Sequence, residues 1–231
     1  MSPIFNVAVL LYKDADIIDF AGPTEIYTNR PATGERPFKT TTFSLDNPVS
    51  VGHGVLTLIP DASFQDVQAN LNNFDILMVP GGMPDQILEM LKREEGKAIT
   101  KLLNDFASLP PRKETGHRII QSVCTGALVL AASGILKGRT VTTHHMAYDL
   151  MKQMADEAAG GESNTNVISK RWVDAGLTDA GVRIVNAGGV TSGIDTSLHI
   201  TEMLVGKEAA DWAAEVSEFE KRGQDEAWGS A

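Results

Sequence analysis

The sequence predicts an α/β fold, a three-layer sandwich in which a mostly parallel sheet lies between helices. Segment 5–12 is a nearly continuous apolar run, which is typical of a strand buried on both faces of a parallel sheet. Segments 75–80 and 118–123 are predicted as two further short strands. Segment 96–109 carries apolar residues at helical spacing, and strand and helix patterns alternate along the chain. This alternation favours parallel strands joined by right-handed crossovers.

The first half of the chain is predicted to contain a hairpin between helical crossovers. Pro23 suits the first turn of a helix, where its missing N–H is not needed. Pro110 and Pro111 end a later helix. In chain order, we predict strands over 5–12 and 38–45, a hairpin over 49–51 and 55–59, a strand over 75–80, and helices around 87–91 and over 96–109.

The second half continues the alternation. Gly134 is a typical helix stop after the small and apolar run 127–133. Trp212, Val216 and Phe219 share one face of a final amphipathic helix, after which the chain is predicted to fray. We predict strands over 118–123, 141–143, 167–173 and 182–186, and helices over 127–133, 146–157, 192–204 and 207–222.

Composition limits the classes of partner. The 231 residues include 20 Lys+Arg and 30 Asp+Glu, a formal charge of −10, which argues against nucleic acid or an anionic membrane as partner. No segment approaches the about 20 apolar residues of a membrane helix. The first residues lack the pattern of a signal peptide. We therefore expect a single domain over 1–231, with its core at 4–222.

Cys124 is the only cysteine, which excludes an internal disulfide and a multi-thiolate metal site within one chain. A lone thiol favours a reducing, cytoplasmic location. Cys124 directly follows a predicted buried strand, and Gly126 leaves room for a tight turn into a helix, a nucleophile elbow whose helix N-terminus would favour thiolate. Free cysteines are also often inert core residues, and position alone leaves both interpretations open.

Other polar or glycine-rich segments fall at predicted strand ends. Ligands of open parallel sheets bind beyond the carboxyl ends of the strands. Asp19, 81–82, 124–125 and 188–189 all fall there, so the topology should bring them together. By position, Asp19 also suits a helix cap, and 188–189 favours a tight turn over a nucleotide loop.

Five sequence blocks together resemble the ThiJ/PfpI superfamily, whose fold is like that of class I glutamine amidotransferase domains. The blocks come in family order and cover residues about 5–220, essentially the whole chain. The matching blocks are 19–23 with Glu25, 79–82, 122–127, 142–144 and 188–195.

Two positions discriminate among the branches of that superfamily. Thr125 stands where the peptidase branch has a histidine after the nucleophile, and Asp19 stands where the glyoxalase branch typically has a glutamate. Asp19 combined with Cys124-Thr125-Gly126 is most similar to the isonitrile hydratase branch. The sensor branch, which is fused to DNA-binding helices, shares much of this pattern, but the acidic chain shows no basic face, and we expect no DNA-binding role.

The resemblance implies cofactor-free hydration of small isonitriles to N-substituted formamides. Cys124 would attack the terminal carbon, Asp19 would act as general acid and base, and Thr125 would position water or the adduct. The implied alternatives are a glyoxalase or deglycase acting on 2-oxoaldehydes, and a non-enzymatic redox or small-molecule sensor that uses Cys124.

Further residues receive binding roles from the same resemblance. Gly82 would direct a backbone N–H at the thiol, and His144 is the candidate among two adjacent histidines to face the substrate. Glu25 is either buried near the thiol or a solvated helix residue. Backbone contacts to substrate or oxyanion are expected from Gly81, Gly126 and Gly188. We expect no metal or organic cofactor, a small-molecule substrate and a homodimer.

Overall fold

The computed structural model describes residues 3–31 and 34–229. Its main sheet has seven strands in the order β10-β11-β7-β6-β1-β2-β5, all parallel except β10, so the predicted α/β fold is confirmed. The strands are β1 (Phe5–Leu10), β2 (Phe38–Ser44), β3 (Val49–Val51), β4 (Leu56–Leu58), β5 (Ala62–Ser63), β6 (Ile76–Val79), β7 (Ile119–Ser122), β8 (Thr140–Val141), β9 (Asn166–Val167), β10 (Trp172–Leu177) and β11 (Arg183–Ala187).

Helices cover both faces of this sheet. Every residue of the central strands β6 and β7 is buried, which requires a packed layer on each side. Helix α1 packs on α7 and α7 on α8, whereas α3, α4, α5 and α6 form a second packed group. The helices are α1 (Ile17–Thr28), α2 (Phe64–Ala69), α3 (Pro84–Leu91), α4 (Glu94–Ala107), α5 (Gly126–Ala132), α6 (Tyr148–Ala159), α7 (Ser192–Val205) and α8 (Lys207–Val216).

The first helix differs from the prediction, because Pro23 lies inside α1 rather than in its first turn. A proline there removes one backbone hydrogen bond, and tertiary packing compensates for it. Pro23 is buried against α7, where a Cβ on Gly193 would lie 3.2 Å from its Cγ. The early start of α1 places Asp19 in its first turn, facing the end of the sheet.

Two further predictions are wrong in the last third of the chain. The strand predicted over 167–173 is two strands, because the chain bends at Arg171 between β9 and β10. The last helix ends at Val216, since Glu218 has a left-handed φ of 47° and turns Phe219 back toward α7. Within the described residues, each helix is too short or too polar to span a bilayer.

Candidate active site

Three strand ends hold Cys124 in place. Residue 124 lies two positions after the last residue of β7, and its N–H donates to the carbonyl of Gly188, just after the neighbouring strand β11, at 2.8 Å. The Thr143 hydroxyl donates to the Cys124 carbonyl, also at 2.8 Å. Both backbone groups of the cysteine are therefore bound, which leaves only its side chain to interact with a substrate.

The backbone at Cys124 has the geometry of an elbow. Its φ is 56°, a left-handed value that non-glycine residues adopt with strain, and helix α5 begins two residues later. A Cβ on Gly126 would lie 2.4 Å from the Val79 carbonyl oxygen, so a larger residue cannot enter the turn. The room that Gly126 was predicted to leave for a tight turn fits this geometry. Its N–H donates to the Val123 carbonyl at 2.9 Å, so the contact predicted between this backbone group and a substrate or oxyanion is not available.

Asp19 approaches the sulfur from helix α1. Its side chain is fully buried, and Oδ2 accepts a hydrogen bond from the Gly81 N–H at 2.9 Å. Oδ1 has no hydrogen-bond partner among the described residues. One oxygen each from Asp16 and Asp19 and the Sγ of Cys124 lie within 4.8 Å of one another. The site thus pairs the single thiol with a carboxyl group that keeps an oxygen available.

Burial controls the protonation of this pair. It raises the pKa of Asp19 to about 7, although the Gly81 hydrogen bond opposes the shift. Burial also raises the pKa of the Cys124 thiol to about 12, and the negative charge of Asp19 adds to the rise. The N–H groups of Val190 and Thr125 lower it by less. At neutral pH, the site therefore holds a thiol beside a partly ionised carboxyl group.

Burial thus favours the thiol, whereas the sequence predicts a resting thiolate. Only 4 % of Cys124 is exposed, so desolvation of the charged form outweighs the stabilisation by nearby N–H groups. Helix α5 has only seven residues, which limits its dipole as a source of ionisation. Activation of the sulfur must come from a base that removes its proton during attack.

The backbone of 81–82 is used differently from the prediction. The Gly82 N–H donates to Oγ1 of Thr125 at 2.9 Å, and that hydroxyl donates to the Gly82 carbonyl at 2.6 Å. Gly82 therefore binds Thr125 rather than the thiol, and Gly81 binds Asp19. A Cβ on Gly81 would lie 2.6 Å from Thr125 Oγ1 and 2.7 Å from Asp19 Oδ2, so the position requires glycine.

Sequence reasoning missed two residues beside the sulfur. Asp16 is the residue before α1, with extended backbone, and lies close to Asp19 and the sulfur. An aspartate at the start of a predicted helix was a signal in the sequence that was available. Val190 has a φ of 29° and a backbone N–H bonded to the Cys124 sulfur. A strained residue after the Gly188-Gly189 turn gives no signal in sequence, because the strain arises from tertiary packing.

Glu25 is not part of the site. It is exposed on the outer side of α1, so the solvated alternative is the one observed. His144 is half buried and accepts a hydrogen bond at Nδ1 from the Met146 N–H at 3.3 Å. Burial lowers its pKa, which favours the neutral imidazole. A Cβ on Gly189 would lie 2.8 Å from its Cδ2, so the glycine turn makes room for this ring.

A pocket of about 350 Å³ lies next to residues that contact the cysteine. Gly188 and Val190, which both bind Cys124, line it together with His144 and Trp228, whereas Cys124 and Asp19 do not line it. This volume is in the range of small-molecule sites. A larger groove of about 920 Å³ is lined by Pro31, residues 34–37 and one side of α8, and none of the predicted site residues lines it.

The oxygens of Asp16 and Asp19 and the sulfur of Cys124 are also a donor set that could hold a metal ion. Thiolate and carboxylate ligands bind in their ionised forms, and burial opposes ionisation of both Asp19 and Cys124. The geometry therefore favours proton transfer between these groups over metal binding, and the expectation of a metal-free reaction stays a prediction.

Comparisons with a family model, with curated proteins and with solved structures all find similarity to one protein family. A family model described as the DJ-1/PfpI family matches residues 6–202. The chain is 26% identical over 212 residues to an isonitrile hydratase of Pseudomonas putida, covering 89% of this chain and 74% of that protein. It is 30% identical over 123 residues to a deglycase of Thermococcus kodakarensis, covering 53% and 63%. A ThiJ/PfpI family protein from Pseudomonas syringae superposes with a TM-score of 0.71 at 22% identity, covering 99% and 80%.

Proposed function

The chain belongs to the DJ-1/PfpI family, and from that premise we propose that it is a hydro-lyase that converts small isonitriles to N-substituted formamides. Cys124 is the proposed nucleophile and Asp19 the proposed general acid and base. The observation that carries the proposal is the buried Asp19 carboxyl group, which has one oxygen within 4.8 Å of Cys124 Sγ and whose Oδ1 has no hydrogen-bond partner in the described chain. The similarity to an isonitrile hydratase supports the choice of substrate.

In the first step, the thiol adds to the terminal carbon of the isonitrile. The sulfur–carbon bond forms as Asp19 removes the thiol proton, and Asp19 then delivers that proton to the same carbon. The product is a thioimidate, R–N=CH–S, on Cys124. Because the pKa of Asp19 is about 7, the group is matched to accept and donate a proton near neutral pH.

In the second step, water adds to the thioimidate carbon. Asp19 takes one proton from the water as the hydroxyl group adds to the carbon, and it passes that proton to the imine nitrogen, which gives R–NH–CH(OH)–S. The carbon–sulfur bond then breaks, the hydroxyl proton returns to the sulfur through Asp19, and the formamide leaves. The sum is one isonitrile plus one water giving one formamide, with no oxidant, reductant or cofactor.

Enclosure of the sulfur favours this substrate over larger ones. With 4 % of Cys124 exposed, only a narrow group can reach the sulfur. An isonitrile ends in a linear N≡C unit, whereas a peptide presents a broad planar carbonyl. The thiol proton is also required in the product, so a resting thiol is suited to the chemistry.

A glyoxalase or deglycase is the second candidate, supported by the similarity to a deglycase. Attack on a 2-oxoaldehyde develops charge on oxygen, which is best stabilised by backbone donors. The N–H groups of Gly81 and Gly82 are bound to Asp19 and Thr125, which disfavours this reaction. A redox sensor is disfavoured because a protonated, enclosed thiol oxidises slowly.

The setting is part of the proposal. We expect a homodimer that acts in the cytoplasm on a small molecule, without nucleic-acid or membrane partners. The acidic net charge of −10 and the lone thiol support this expectation. Sedimentation of the purified protein measures the oligomeric state directly.

Formamide production from an aryl and a cyclohexyl isonitrile tests the proposed reaction. We expect turnover by the native chain, loss on the order of 10³-fold or more in Cys124→Ala, and unchanged turnover in Glu25→Gln, whose side chain is exposed. Methylglyoxal is the parallel substrate. Turnover of methylglyoxal without formamide production would assign the second candidate, and an active Cys124→Ala variant would reject the mechanism.

A further inference from the structure

The segment after α8 returns across the carboxyl end of the sheet. Its return begins at Glu218, whose left-handed φ reverses the chain, and Phe219 packs against the cluster of Ile26, Leu198 and Ala213. The reversal brings residues 222–228 to the side of the molecule that holds Cys124. The returning segment 218–229 is named the C-terminal strap.

Polar contacts anchor the strap to the pocket wall. The Arg222 N–H donates to Oδ1 of Asp195 at 2.7 Å, and the Gln224 carbonyl accepts from the Arg171 N–H at 2.8 Å. Lys170 forms an ion pair with Asp225. Asp195 is itself fully buried and paired with the Arg171 guanidinium at 2.8 Å. The strap is therefore bound by buried and partly buried groups of the site rather than frayed as predicted.

The strap places an indole ring in the pocket. Trp228 follows the buried residue Ala227 and stacks on the His145 ring, with centroids 5.9 Å apart and planes at 23°. The His145 ring in turn lies 4.4 Å from the His144 ring. Trp228 nevertheless keeps 73 % of its surface exposed, so a large aromatic face remains for a ligand.

This aromatic wall shares a pocket with residues that contact the nucleophile. Val190, whose N–H bonds the Cys124 sulfur, and Trp228 both line it, although Cys124 itself does not. The pocket cations Lys170 and Arg171 are paired with carboxylates, which disfavours an anionic substituent. A group attached to a carbon held at the sulfur would extend toward the stacked rings.

We propose that the C-terminal strap completes the substrate pocket and that Trp228 selects substrates with a flat aromatic substituent. The inference rests on the proposed function in naming aryl isonitriles as the preferred substrates. Stacking of an aryl ring on the indole provides the discrimination, since aromatic pairs gain from offset or edge contact beyond the area they bury. Trp228 is a specificity-determining residue that takes no part in bond making.

Steady-state kinetics with an aryl and an alkyl isonitrile test whether Trp228 selects aromatic substrates. We expect Trp228→Ala to raise the KM for an aryl isonitrile about fivefold to tenfold, with kcat kept within about twofold and the KM for isopropyl isonitrile little changed. Trp228→Phe should restore most of the aryl preference. Trp212→Phe is the matched control, because Trp212 lies on α8 and its Nε1 donates to the Arg30 carbonyl, outside this pocket. Equal KM changes for both substrates would overturn the proposal.

Binding without turnover separates this inference from the proposed function. An N-aryl formamide is titrated into the native chain while tryptophan fluorescence is followed. We expect quenching that disappears in Trp228→Phe and persists in Trp212→Phe. If no isonitrile is hydrated but this pattern holds, the reaction is rejected and the aromatic pocket stands. If isonitriles are hydrated but quenching does not depend on Trp228, the pocket assignment is rejected and the reaction stands.

Discussion

Two buried aspartates at the same end of the sheet have opposite surroundings. Asp19 lies in the first turn of α1 and Asp195 in the first turn of α7, and both are fully buried. Asp195 binds the Arg171 guanidinium and the Arg222 N–H, whereas Asp19 binds one N–H and keeps Oδ1 without a partner in the described chain. Burial raises the pKa of both carboxyl groups, but the partners of Asp195 oppose that rise.

The comparison shows that hydrogen-bond and charge partners distinguish a carboxylate that stabilises the fold from one that can take part in a reaction. A buried charge that is fully paired holds segments together, and its removal leaves a partner uncompensated. A buried carboxyl group with an available oxygen is destabilising for the fold and is retained where a proton must move. Four changes test this contrast, from the largest expected effect to the smallest.

Asp19→Asn should lower isonitrile turnover by about 10²–10⁴-fold, because the amide cannot exchange the proton. The amide oxygen can still accept from the Gly81 N–H, so the free energy of unfolding at pH 7 should be unchanged or higher. Formamide assays and urea denaturation measure the two effects. Loss of stability without loss of turnover would make Asp19 a structural residue.

Asp195→Asn should have the reverse effect. It leaves the Arg171 guanidinium, which is almost fully buried, without its anionic partner and should lower the free energy of unfolding by about 3 kcal/mol. Turnover per folded molecule should stay within a few-fold, since Asp195 does not touch the sulfur. A change in unfolding free energy below about 1 kcal/mol would remove the contrast between the two aspartates.

The pH dependence of stability should also distinguish Asp19. Its pKa rises from 3.8 to about 7 on folding, so between these values the folded state binds more protons than the unfolded state. Its contribution to the free energy of unfolding therefore decreases as pH rises through this window. The native chain should lose stability relative to Asp19→Asn between pH 4 and pH 7. Parallel curves for the two proteins would contradict the raised pKa.

Glu25→Gln should have the smallest effect. Glu25 is exposed on α1, and a surface substitution of this kind changes the free energy of unfolding by less than about 0.5 kcal/mol. Turnover should match that of the native chain. A tenfold loss of turnover would show that Glu25 acts on the site in a state that differs from the described one.

Local sequence patterns were sufficient to predict the fold and part of the candidate site. The apolar run at 75–80 predicted β6 because burial on both faces leaves no polar alternation. β7 was predicted although Gln121 and Ser122 are polar, and both are buried in the structure. Family motifs led to Asp19 and Cys124. The protonation of Cys124 was not predictable, because it depends on enclosure by Asp19 and Val190 from distant segments.

The C-terminal strap was also beyond sequence reasoning. A segment without strand or helix periodicity gives no pattern to interpret. The return of Trp228 depends on the turn at Glu218 and on the carboxylate of Asp195, 27 residues before Arg222. Contacts of this kind are set by tertiary packing and leave no local pattern in the sequence. For that reason the last helix was predicted to extend to residue 222, whereas α8 ends at Val216.

The pH dependence of Cys124 alkylation tests most directly whether Asp19 controls the thiol. With iodoacetamide, the native chain should react slowly at neutral pH and gain reactivity above pH 9.0, the ordinary pKa of the thiol. Asp19→Asn should shift this profile to lower pH, because it removes the negative charge that disfavours thiolate. A native thiol that is already fully reactive near pH 6, or identical profiles for the two proteins, would contradict the account.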